Sequence, residues 1–91
     1  MTYLILDTAA AAQARSEQAW LDCGYAPDST TSLWSWIFHP TDGRAALTIP
    51  ATPAEAHIGL SQEDYDALLT GAEKAMLVDV LSDDWIPEEY R

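Results

Sequence analysis

Apolar and polar positions are most clearly patterned between Leu33 and Pro50. Leu33–His39 is rich in aromatic and β-branched residues, which suit a pleated and partly covered surface. Period two places Trp34, Trp36 and Phe38 on one face, and Leu33, Ser35, Ile37 and His39 on the other. Pro40-Thr41-Asp42-Gly43 then supplies turn chemistry: proline presets φ and Gly43 accepts a positive φ. Arg44–Ile49 runs back, with Ala45, Leu47 and Ile49 sharing a face. Pro50 has no N–H to continue the ladder. The pattern predicts a central hairpin with its aromatics packed under a helix.

The flanking segments extend this plan. Thr2–Leu6 reads as a third strand, with Tyr3 and Ile5 opposing Leu4 and Leu6. Asp7 or Thr8 can cap a helix that runs through the alanines to about Asp22, with Gly24 as its left-handed stop. The expected buried stripe of that helix is Ala12, Ala19, Trp20 and Cys23. Tyr25–Ser32 reads as a connector. Ala51–His57 reads as a proline-interrupted loop with one helical turn after Pro53, anchored by Ile58 and Leu60.

Ser61 can cap the next helix, whose apolar stripe is Tyr65, Leu68, Leu69 and Ala72. Gly71 is expected to end it, and Thr70 with Glu73 to form a capping box for another. That last helix would turn Met76, Leu77, Val80 and Leu81 inward and Lys74 outward, with Asp79 in water. Trp85 and Ile86 are expected to fold back from the tail. The order β-α-β-β-α-α predicts an α+β fold, a three-stranded antiparallel sheet with helices packed on one face. A single small acidic domain would span residues 1–91, its second sheet face open to another protein or to a second copy.

Charge changes the picture most. The 91 residues hold 15 acids against four lysines and arginines, a formal net charge of −11. From Ser61 onward there are nine acids and two bases. Direct nucleic-acid binding needs cations to neutralise phosphates, and an anionic membrane repels such a chain. A basic protein or nucleoprotein complex is the natural complement. Asp79, Asp83, Asp84, Trp85, Glu88 and Glu89 are therefore the candidate partner-binding residues.

Catalytic and cofactor signals are missing from the pattern. Two histidines, His39 and His57, have no clustered ligands and read as surface or rim residues. The acidic tail lacks the spacing of a calcium loop. Cys23 is the one cysteine, so it forms no disulfide within the chain, and it reads as an inert buried thiol. Neither cofactor nor metal is expected, and an enzyme ranks below a binding protein. The first residues lack a basic stretch before their short apolar run, and nothing reaches the length of a membrane span, so a cytoplasmic setting is expected. Abundant alanine, one lysine and no asparagine fit a GC-rich bacterial or phage genome.

Carboxylates spaced along helices and a tail can imitate the phosphates of a duplex. In size and charge alone, the chain is similar to the small phage inhibitors of restriction or CRISPR machinery as a class. That likeness implies a non-enzymatic decoy, a DNA mimic that occupies a basic groove of a host defence complex. The alternative expectation is a phage or bacterial structural or assembly accessory protein, held by sheet-face contacts.

Overall fold

A computed structural model describes residues 1–25 and 33–90. Its elements are β1 (Thr2–Leu6), α1 (Ala9–Asp22), β2 (Trp36–Phe38), β3 (Ala45–Ile49), α2 (Gln62–Asp66) and α3 (Gly71–Met76). Two 3₁₀ turns follow, Asp83–Trp85 and Glu88–Tyr90. The sheet order is β1-β3-β2, both pairs antiparallel. This is the expected α+β architecture.

Register explains the core. Leu4, Leu47 and Trp36 align across the three strands, as do Leu6, Ala45 and Phe38. Leu4, Ala45, Leu47 and Ile49 form the buried sheet face. Ala12 and Ala19 of α1 and Tyr65 of α2 pack against that same face. Small side chains on both sides let α1 sit close, because no Cβ branch holds it away.

The hairpin strand is shorter than the pattern predicts. The strand itself is Trp36–Phe38 rather than Leu33–His39, with one further backbone bond to the partner strand side at each of Ser35 and His39. At its start the cause is Ser16 on α1. Its hydroxyl accepts from the Trp34 N–H at 2.7 Å and donates to the Trp34 carbonyl at 2.6 Å. Trp34 thus satisfies its backbone from the helix instead of the ladder. The expected aromatic face splits accordingly: Trp34 is 2% exposed, Trp36 half-buried and Phe38 63% exposed. Trp34 is core, with its indole N–H donating to the Tyr65 hydroxyl, which donates in turn to the Pro50 carbonyl.

Helix ends follow the sequence closely. The Thr8 hydroxyl accepts from Ala11 N–H, and Gly24 takes a φ of +88° beyond the Cys23 cap. Within α1 the buried residues are Ala12, Ser16 and Ala19. Trp20 and Cys23 are only half-buried, and Trp20 stacks on Tyr25 at 4.4 Å. The Ser61 hydroxyl accepts from Asp64 N–H. Thr70 and Glu73 form the expected capping box. Gly71 opens α3 rather than closing α2, which stops earlier, at Asp66. Ala72 is exposed, whereas Leu68 and Leu69 pack on the core from the turn. The chain does make one turn after Pro53, and Ile58 packs on the core while Leu60 is half-buried. Apart from Tyr25, the expected connector lies outside the described residues.

The last helix departs from expectation. It ends at Met76, and Leu77 adopts an extended backbone at φ −64°, ψ 140°. Val78 then exchanges both backbone hydrogen bonds with Tyr3, at 2.8 and 3.0 Å. This pairing covers the outer edge of β1 at Tyr3 and draws the chain out of the helix. Leu77 packs on the core and Leu81 is half-buried, but Met76 and Val80 face solvent, Val80 at 81% exposure. Trp85 does fold back, at 5% exposure, whereas Ile86 stays exposed.

Candidate functional site: the pinned acidic tail

The tail after α3 is pinned at two places. The first is the Tyr3–Val78 pair. The second is built from the hairpin turn. His39 follows β2 and pairs with Arg44 through its N–H at 2.9 Å. Two backbone donors, Thr41 N–H and Asp42 N–H, converge on the His39 Nδ1, each at 3.2 Å. Nδ1 faces these two donors, and Asp42 Oδ1 also lies 3.2 Å from it. Nε2 donates to Asp84 Oδ2 at 3.1 Å.

Asp84 gathers the surrounding groups. Arg44 Nη2 donates to the same Oδ2 at 3.1 Å, while its Nε donates to Asp42 at 2.7 Å. The Ser82 hydroxyl donates to Asp84 Oδ1. The Ser82 hydroxyl and then the His39 imidazole hold the Asp84 carboxyl down at about 2. Trp85 completes the clasp. Its ring meets His39 edge-on at 4.8 Å, and the Arg44 guanidinium carbon lies 5.2 Å from its centroid. His39 and Arg44 belong to the sheet face opposite the core, so the tail covers one end of the face expected to be open.

The six sequence-derived candidates therefore divide. Asp84 and Trp85 serve the clasp and hold the tail on the sheet. Asp79, Asp83, Glu88 and Glu89 are exposed. Glu88 and Glu89 flank a shallow groove of about 530 Å³, shared with Pro40, Thr41 and Pro87. The structure thus brings two acids beside the hairpin turn and leaves Asp79 and Asp83 along the approach.

Positive charge is largely neutralised within the fold. Among the described residues, Arg15 pairs with Glu73, and Arg44 pairs with Asp42 and Asp84. The lysine, Lys74, is exposed. Most of the other carboxylates face solvent.

His39 was missed as an internal residue. Its expected place at the surface or rim holds for His57, which is exposed, but not for His39, which is buried. The signal available was its position before a Pro-Thr-Asp-Gly turn, whose free N–H groups need an acceptor. Cys23 is half-buried, and burial, with Asp22 nearby, pushes its thiol up, away from thiolate reactivity. Among the described residues, no group of three or more His, Cys, Asp or Glu side chains is placed to hold a metal ion. No helix among them is long and apolar enough to cross a membrane. No family model, curated protein or solved structure matches the chain.

Proposed function

We propose that this chain is a non-enzymatic acidic binding protein that engages a basic surface on a protein or nucleoprotein partner. Its specific form is a phage-type inhibitor acting in the bacterial cytoplasm. There it blocks the nucleic-acid-binding surface of a host defence complex, of the restriction or CRISPR kind. One observation carries this reading. Four exposed carboxylates, Asp79, Asp83, Glu88 and Glu89, lie on a segment fixed to the sheet by Val78 and by the Asp84–Trp85 clasp. A pinned segment presents its charges with little ordering cost on binding, which favours affinity. Its field also steers a basic partner toward it.

The test is capture from a bacterial lysate at low and high salt, followed by mass spectrometry. The proposal expects a nucleic-acid-handling complex, released by salt, whose own nucleic-acid binding falls when this protein is added. Reversing Asp79, Asp83, Glu88 and Glu89 to lysine should abolish capture. Recovery of only the chain itself, or of a virion component at either salt, would favour a structural or assembly role instead. The exposed Ile37 and Phe38 are the observation that keeps that second reading open.

A further inference from the structure

We propose that β2 is a docking edge, on which an extended basic segment of the partner adds to the sheet as a fourth strand. The two edges of this sheet are unlike. The β1 edge is capped at Tyr3 by the reciprocal bonds to Val78. On the β2 side, His39 donates to Arg44 and Thr48 donates to Ser35. With Ile37 opposite Ala46, these pairs direct the backbone groups of Ser35, Ile37 and His39 toward β3. The N–H and C=O groups of Trp36 and Phe38 consequently point outward, where no described strand meets them. Edges of this kind are usually blunted by charge or proline. Here the outward residues are aromatic, and Phe38 is 63% exposed beside Ile37 at 39%.

Charge selects the occupant. A strand lying along β2 runs on past Phe38 to Pro40 and Thr41, where Glu88 and Glu89 border the shallow groove. A lysine or arginine on the incoming segment meets those carboxylates there, while its alternate side chains cover Phe38. A second copy of the chain would bring another net charge of −11 to the same place. The occupant is therefore a basic extended peptide, recognised by backbone bonds along the strand and by charge at its end.

This inference rests on the binding role proposed above, but its test is separate. The probe is a capped synthetic peptide of alternating valine and lysine, titrated into the ¹⁵N-labelled chain. The largest amide shifts are expected at Trp36 and Phe38. A valine–glutamate peptide should give none. Phe38→Pro removes an outward N–H together with the ring but none of the bonds to β3, and peptide affinity should fall about tenfold or more. Phe38→Thr keeps the N–H and should weaken binding less. Shifts confined to the tail, equal binding of the glutamate peptide, or self-association that occupies β2 would each overturn the docking edge. The wild-type titration reads the edge directly, so it decides the question even if Phe38→Pro proves unstable. If the peptide fails at β2 while salt-sensitive capture persists, the edge assignment falls and the acidic binding role survives.

Discussion

The Arg15 guanidinium grips the Glu73 carboxylate through two hydrogen bonds, Nε to Oε2 at 2.6 Å and Nη2 to Oε1 at 2.9 Å. The same Nη2 donates to the Leu68 carbonyl at 2.7 Å, and the guanidinium carbon lies 5.7 Å from the Trp34 ring centroid. One side chain from α1 thereby ties down the turn after α2, the start of α3 and the central tryptophan. Glu73 is itself the capping-box acid of α3, accepting from Thr70 N–H at 2.9 Å.

Glu73→Ala removes both roles and leaves a mostly buried arginine without its carboxylate, held only by the Leu68 carbonyl and the Trp34 ring. The expected loss is about 2–3 kcal/mol, from a charged hydrogen-bond pair and a helix cap together. Glu73→Gln keeps an oxygen for the cap and should lose about 1 kcal/mol less than the alanine variant. Urea denaturation of the three proteins measures both differences. Equal stability of all three would mean that the fork contributes nothing.

Ser16→Ala should be costly for so small a change. It deletes a hydroxyl that serves both backbone groups of Trp34 at a fully buried position. Two stranded polar groups imply a loss of about 2–3 kcal/mol, and a Tm lower by roughly 10 °C or more for a chain of this length. Thermal unfolding followed by tryptophan fluorescence gives the answer. A shift of under about 2 °C would contradict the assigned bond pair.

Acid should weaken the fold over a defined window. Arg15 holds the Glu73 carboxyl down at about 2, from an ordinary value of 4.5. Ser82 and His39 hold Asp84 at about 2, from 3.8. Both values are depressed in the folded state, so both contributions are complete above pH 4.5 and are lost as pH falls toward 2. Stability measured in urea should therefore drop between pH 4.5 and 2. Glu73→Gln should flatten the upper part of that drop. In Asp84→Asn the Trp85 indole signal should already report a loosened tail at neutral pH. A drop that Glu73→Gln leaves unchanged would remove Glu73 as its source.

Two glycines give opposite expectations. Gly43 closes the hairpin turn at a φ of +81°, where a Cβ is strained even though no atom lies within 4 Å. Gly43→Ala should destabilise by about 1 kcal/mol. Gly71 stands at the first position of α3 with open space around it. Gly71→Ala should stabilise by about 0.5 kcal/mol, through helix propensity and a less flexible unfolded chain. Paired melting curves decide the signs.

Local chemistry was legible in the sequence wherever it was self-contained. The Thr8 and Ser61 caps, the Thr70–Glu73 box and the left-handed Gly24 depend on neighbours within a few residues, and the apolar runs of β1 and β3 are marked within their own residues although the two strands pair across the chain. Ser16 was legible in principle, since it falls on the same helical stripe as Ala12 and Ala19, but a polar residue there has meaning only once Trp34 arrives. The end of α3 was not legible. Leu77, Val80 and Leu81 keep helical spacing, and the pull comes from Tyr3, far away in the chain. The clasp was hidden for the same reason: His39 and Asp84 lie 45 residues apart. Among the acidic candidates, sequence pointed to the tail as a segment. It could not separate Asp84 and Trp85, which hold that tail, from the carboxylates left exposed.

The most direct test of the central claim is the salt-dependent capture experiment, run side by side with wild type and the quadruple lysine variant at Asp79, Asp83, Glu88 and Glu89. Asp84 is left intact so that the clasp, and with it the fold, is preserved. The account predicts that wild type retains a nucleic-acid-handling complex at low salt, releases it at high salt, and that the variant retains none. A partner held equally by both proteins, at either salt, would contradict it.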